Sequence, residues 1–335
     1  MDISARRRTE VAVAIALVSF LSAPLAGQAQ KPAAKTTAPA KGQWRTPWGD
    51  PDLQGSWSNA TTTRLQRPAT YGSRAFLTPE EKAELDKETD IGTDRRGATP
   101  ARDVADAYNR FWWDRGYSDG RTSLIYDPPD GKIPPLTPEG QKRRQSFRRT
   151  EGLTEDGAGG RADSWLDRSL YERCVIRAPL PRISTGYDNN YQIVQSPGIV
   201  AILQEQIHET RLVPLDGRPH LDQSLRQWLG DSRGHWEGPT LVVETTNFSN
   251  RTDFEGSGPN MRLVERWTRL SDDHIDYRFT VEDPTAWTKP WSAAIGWNKV
   301  GPLYEYACHE GNYGLYGILE GARAQEAETA AKKSK

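Results

Sequence analysis

The sequence predicts a mainly β protein, an antiparallel meander forming a barrel or a two-sheet sandwich, with a helical and irregular N-terminal extension. Three observations predict it. From Tyr191 onward apolar residues recur with a period of two, as in half-buried strands. The runs are short and consecutive, with turn residues and no helical pattern between them. Only 36% of the residues are apolar, yet 12 Trp, 12 Tyr and 7 Phe supply large buried surfaces at few positions, so an aromatic core is expected.

In chain order, residues 1–29 read as an export signal: Arg6, Arg7 and Arg8 precede an apolar run from Val11 to Gly27, with small residues around Ala29 for cleavage. The run is short for a membrane span and contains Pro24, so no integral membrane segment is expected in the mature chain. A periplasmic or secreted location follows. Residues 30–43, rich in Ala, Pro, Lys and Thr, form a flexible tether.

Residues 44–163 make up the extension, expected to pack on the barrel. Thr78 and Pro79 start a helix that continues through Glu88, a second is expected over 103–114, and Thr137, Pro138 and Glu139 repeat the start signal for a third over 137–149. Residues 151–163 are polar and Gly-rich, a loop. The β domain spans 164–320, with strands expected at 191–196, 199–205, 208–214, 240–247, 262–270, 274–282, 291–299 and 303–309. Asp216-Gly217 and Glu237-Gly238 supply turns, and 321–335 is a polar tail, either a frayed helix or disorder.

Lys plus Arg at 44 against Asp plus Glu at 45 leaves a net charge of −1, so no nucleic-acid partner is indicated. The only cysteines, Cys174 and Cys308, are expected to form a disulfide in an oxidising compartment. A thiol nucleophile at Cys308 beside His309 is the alternative.

The stretches RTPWGDPDLQGSWSN at 45–59, DSRGHWEGPTLVVETTNF at 231–248 and YEYACHEGNYG at 304–314, with PPLTPEG at 134–140 and DPTAWTKPW at 283–291, resemble a large family of exported bacterial proteins of unassigned function. The resemblance spans nearly all of the mature chain and implies no activity. Gly55-Ser56-Trp57 is also similar to the G-x-W at the mouth of lipocalin-type barrels, a likeness of architecture only.

No serine-hydrolase elbow, zinc-protease helix, P-loop or dinucleotide fingerprint is present, so no cofactor is expected. Glu205 and His208 would share a helix face as metal ligands, but on a strand three residues apart they point to opposite faces, so no metal site is expected. Asp231, Arg233 and His235 alternate with small residues and would share one side of an extended segment. They either pin a turn or form an acid–base group with an oxyanion partner. His208 and His309 are the other catalytic candidates. Trp236, Trp267 and Trp297, with Glu205, Glu244 and Glu310, are the ligand-binding candidates. The function this predicts is action on a small aromatic or carbohydrate-like molecule, by a cofactor-independent lyase, isomerase or hydrolase. The alternative is a noncatalytic ligand-binding or envelope-interaction protein. Convergence of two titratable groups in one pocket would favour catalysis.

Overall fold

The period-two alternation becomes the inner wall of a barrel. The computed structural model describes residues 44–92, 114, 116–150, 162–177 and 180–333. The expected helix over 103–114 except its last residue, the signal, the tether and most of the 151–163 loop lie outside the described residues.

The strands are β1 (Gly55–Ser58), β2 (Ile125–Asp127), β3 (Asn190–Ser196), β4 (Ile199–Gln204), β5 (Thr210–Pro214), β6 (Asp231–Glu237), β7 (Thr240–Thr246), β8 (Arg262–Arg269), β9 (His274–Glu282) and β10 (Trp291–Lys299). All pair antiparallel in one sheet with the order β5-β4-β3-β1-β10-β9-β8-β7-β6, and β2 adds to β10. The sheet curls until β5 and β6, its two ends, nearly meet. One face is interior throughout. In register across the wall, Trp57 faces Tyr191, Tyr191 faces Gln204, Leu241 faces Trp267, Trp267 faces Tyr277 and Ile295 faces Tyr277. These pairs fill the core, with Phe279, Trp291 and Trp297 beside them.

Three strands escape the sequence reading. β1 and β2 come from the segment expected to lie outside the barrel, and β1 sits centrally between β3 and β10. β6 hides because its inward residues, Ser232 and Gly234, are small rather than apolar. Gly234 is required there: a Cβ would come within 2.7 Å of the Val213 and Leu215 side chains, which pack against the bare β6 backbone. Conversely, 303–309 is irregular rather than a strand. Both edges of β10 are already occupied, by β9 on one side and by β1 and β2 on the other, so a following strand cannot fold back onto it.

Two of the expected helices form where their caps predict. In α1 (Pro79–Gly92), the Glu81 N–H donates to Thr78 Oγ1 at 3.2 Å and the Thr78 N–H returns a bond to Glu81 Oε2 at 2.8 Å, a reciprocal cap. In α2 (Pro138–Thr150), Thr137 Oγ1 accepts from the Gly140 N–H at 3.0 Å. The polar tail is helical as α3 (Tyr313–Lys333), and none of its residues is buried. Cys174 and Cys308 are disulfide-bonded with Cα atoms 5.8 Å apart. Next to the bridge, the Tyr171 hydroxyl lies 3.0 Å from those of both Tyr187 and Tyr306. Among the described residues, no helix is long and apolar enough to cross a membrane.

Candidate functional site

One part of the barrel interior is aromatic and apolar, where Trp291 packs against Phe254, Phe279 and Trp287 with ring centroids 5.6–5.9 Å apart. Another is polar. There the inward register brings Gln204 from β4, Arg211 from β5, Glu265 from β8 and Tyr277 from β9 around a small cavity, with Arg182 and Glu209 reaching it from the flanking loops.

Arg211 is held by three strands, β6, β7 and β8. Its Nη1 donates to Glu265 Oε1 at 3.0 Å, and its Nη2 pairs with Glu265 Oε2, completing a bidentate fork. Nε donates to Ser232 Oγ at 2.9 Å and Nη2 to Thr245 Oγ1 at 2.8 Å. The Tyr277 hydroxyl donates to Glu265 Oε1 at 2.9 Å. A second buried pair joins Arg182 Nη2 to Glu209, whose Oε1 also accepts from the Arg177 N–H at 3.3 Å. Burial pushes the Glu209 carboxyl up and the Arg182 guanidinium down, each opposed by the attraction of the other. Burial also raises Tyr191 to about 12 and Tyr277 well above the usual phenol range, so both phenols stay protonated at neutral pH.

Aromatic rings make the other walls. Tyr191 stacks on Trp297 with centroids 4.4 Å apart, Trp297 meets Trp267 edge-on at 6.4 Å, and Tyr277 lies 4.9 Å from Trp267. The enclosed space is about 30 Å³, enough for a water-sized group. Four buried polar atoms of the lining have no hydrogen-bond partner: Arg182 Nη1, Gln204 Oε1, Trp267 Nε1 and Trp297 Nε1. Three are donors and one is an acceptor.

The histidine candidates lie elsewhere. Asp231, Arg233 and His235 do share one side, but it is the outer one, because β6 turns Ser232, Gly234 and Trp236 inward. Asp231 Oδ2 accepts from the Leu221 N–H at 3.0 Å and lies 2.9 Å from His220 Nδ1, while Arg233 Nη1 lies 2.9 Å from Asp231 Oδ1 and its Nε donates to the Pro219 carbonyl at 3.1 Å. This arrangement pins the 219–221 loop. His235, its side chain 62% exposed, contacts Glu237 Oε1 at 3.2 Å and does not join the Asp231–Arg233 pair. Glu244 is on the same outer face, paired with Arg262.

His208 is exposed on a short turn, Gln206–His208, that interrupts the expected strand. Glu205, at the start of that turn, is buried and accepts from Asn190 Nδ2 at 2.7 Å and from the Tyr304 N–H at 3.0 Å, so the two residues form no pair. His309 and Glu310 are exposed in the turn after Cys308, because the segment that carries them is not a strand. Cys308 is in the disulfide, which removes the thiol alternative. Of the ligand-binding candidates, Trp267 and Trp297 line the cavity and Trp236 packs against the core beside it. Among the described residues, no group of three or more His, Cys, Asp or Glu is placed to hold a metal ion.

The polar lining of Arg182, Gln204, Glu209, Arg211, Glu265 and Tyr277 is absent from the sequence-derived candidates. One signal could have found part of it. Glu265 stands between Leu263 and Trp267 on the apolar parity of its strand, and Gln204 follows Val200 and Ile202 in the same way. No protein-family model, curated protein or solved structure matches the chain.

Proposed function

We propose that this is an exported barrel that binds a small molecule by a neutral, oxygen-rich group held at the polar part of its interior. The observation that carries the reading is the set of four unpartnered buried atoms around one cavity. A buried donor or acceptor left unpaired costs about 1–3 kcal/mol, and a ligand group that satisfies several at once recovers that as binding energy. Unpaired indole N–H groups also occur at Trp287 and Trp291, so an orphan indole alone signals nothing. What distinguishes the cavity is a guanidinium N–H and an amide oxygen beside two indoles.

The chemistry of the ligand follows from charge and from the donor-to-acceptor balance. Arg182 and Arg211 are matched by Glu209 and Glu265, so an added anion would be buried without a countercharge. A hydroxyl suits the site because it can accept from two of these three donors while donating to the Gln204 amide oxygen. Sugar-like and hydroxylated aromatic molecules carry such groups, and the Tyr191, Trp267 and Trp297 rings provide apolar walls for their flat faces. Binding is favoured over acid–base catalysis because none of the five histidines lines the cavity, and both phenols are held protonated. The disulfide fits an oxidising, extracytoplasmic location.

The test is a thermal-shift titration of the mature chain with methyl β-D-glucopyranoside and simple dihydroxybenzenes. At about 100 times its Kd a ligand adds about 2.7 kcal/mol, a rise of about 4 °C for a chain of this size. Trp297→Phe, which keeps the ring and deletes the donor, should remove most of that rise. If no compound in the set shifts the wild-type transition, the reading is wrong.

A further inference from the structure

The barrel wall has one gap. Among the described residues no backbone hydrogen bond joins β5 to β6, the two ends of the sheet. Side chains close it instead. Arg211 reaches across to Ser232, and Val213 and Leu215 pack on Gly234.

Outside this seam lies a groove of about 760 Å³, walled by Leu212 on one side, by Asp231 and Arg233 on the other, and by Trp228 along the rim. Two of its wall residues, Arg211 and Leu229, are also walls of the internal cavity. The two spaces are therefore separated by the thickness of those side chains. Their sizes are complementary. Organic ligands occupy pockets of roughly 300–1,000 Å³, which the groove offers and the 30 Å³ cavity does not.

We infer that the seam between β5 and β6 is a lateral binding site. It takes the flat apolar body of the ligand against Trp228 and Leu212, while a single hydroxyl of the oxygen-rich end reaches past Arg211 and Leu229 into the cavity. This rests on the interior reading proposed above and adds the place and chemistry of the rest of the molecule. Leu212 is 57% exposed although it is apolar, and Trp228 is half-buried with the Arg251 guanidinium over its ring at 5.4 Å. Arg233 pairs with Asp231, and the Arg226 guanidinium is held by the Pro259 carbonyl. The apolar faces the groove offers are those of Trp228 and Leu212. The ligand class is thus a planar aromatic group joined to a hydroxylated neutral group, as in an aryl glycoside.

The experiment compares 4-nitrophenyl β-D-glucopyranoside, which has both parts, with methyl β-D-glucopyranoside, which has only the head, by calorimetric titration of the full chain. The wild type should bind the aryl glycoside about tenfold tighter, the scale of one aromatic contact. Trp228→Ala should abolish that difference and leave methyl glucoside binding unchanged. Leu212→Glu, at an exposed wall position that the fold does not need, should do the same if Trp228→Ala proves poorly folded. Trp297→Phe, inside, should weaken both compounds. Equal affinity of the wild type for both compounds, or an aryl preference that survives both groove variants, overturns the seam site while leaving the interior reading intact. Binding of neither compound overturns both.

Discussion

Replacing Arg211 by Met removes the guanidinium that both neutralises Glu265 and bridges the barrel seam. The side chains of the pair are 7% and 2% exposed, so solvent offers Glu265 no substitute partner. After the change its carboxylate keeps only the Tyr277 hydroxyl of its original partners, while Ser232 and Thr245 retain each other at 3.0 Å. Removing one partner of a buried ion pair costs about 3–5 kcal/mol, because the remaining charge stays desolvated. Against a total stability of about 5–15 kcal/mol this is a large fraction. Replacing both residues, Arg211→Met with Glu265→Leu, removes the stranded charge and should restore the protein to within about 2 kcal/mol of wild type. Urea denaturation followed by far-UV circular dichroism, run as a double-mutant cycle, measures both values. If Arg211→Met costs under about 1 kcal/mol, or the double variant loses the sum of the singles, the pair is not the buried, coupled closure described here.

The other predictions concern separate regions. Replacing Cys174 and Cys308 by Ser opens a connection spanning 134 residues and should destabilise the chain by up to about 5 kcal/mol in the chain-entropy limit, read from the shift in denaturation midpoint. Burial, with Glu205 and Asp114 adding repulsion, pushes Asp188 up to about 6, so the unfolded chain releases this proton first and the group destabilises the fold as pH rises from about 4 to about 6. Asp188→Asn, tolerated at its φ of +52°, should therefore be more stable than wild type at pH 7, with a gain that shrinks toward pH 4 in thermal melts. Asp231→Ala frees the Leu221 N–H, His220 and Arg233 and should cost about 1–3 kcal/mol, whereas the exposed His235→Ala should change stability by less than about 0.5 kcal/mol and leave ligand binding untouched. Gln204→Leu replaces an unpaired amide oxygen by an apolar group of similar volume, so the unliganded protein should keep or gain stability while the ligand-induced thermal shift disappears.

The parts of the fold legible in the sequence are those where every inward position is large and apolar. Ile275, Tyr277, Phe279 and Val281 on β9, and Trp291, Ala293, Ile295 and Trp297 on β10, announce strand and face together, and they line the interior as their period requires. The signal fails where the inward residues are small, as at Ser232 and Gly234. It also fails where the strand is too short to show a period, as in the four residues of β1. Residues 303–309 show the converse, a strand-like composition that follows a strand with both edges already paired. Of the cavity, Trp267 and Trp297 were visible because an aromatic on the apolar face has one reading. Arg211 and Glu265 were not. A charged residue on a half-buried strand reads as solvent-facing unless its parity is counted, and the two partners meet only when a nine-strand path closes on itself.

That closure also explains why the reactive residue types lie on the outer surface. Histidines and carboxylates near turns are concentrated in the connections, and in a barrel the connections and the odd-parity positions of β6 face outward, where Asp231 and His220 meet as loop fasteners. The interior instead keeps two buried phenols and two matched Arg–Glu pairs with spare donors. Such a lining costs stability. Similar volumes of Leu and Phe would be more stable than Arg211–Glu265 and Arg182–Glu209, and each orphaned N–H adds to the deficit. Elsewhere the same barrel packs Trp291, Phe279 and Phe254 with no ion pair among them, so its wall geometry does not itself demand charge inside. The polar part is a local departure from the packing that the rest of the core achieves, and it lies where the seam leaves the wall unbonded. A departure from good packing next to an opening is the ground on which the proposed binding is put at the β5–β6 seam rather than among the histidines.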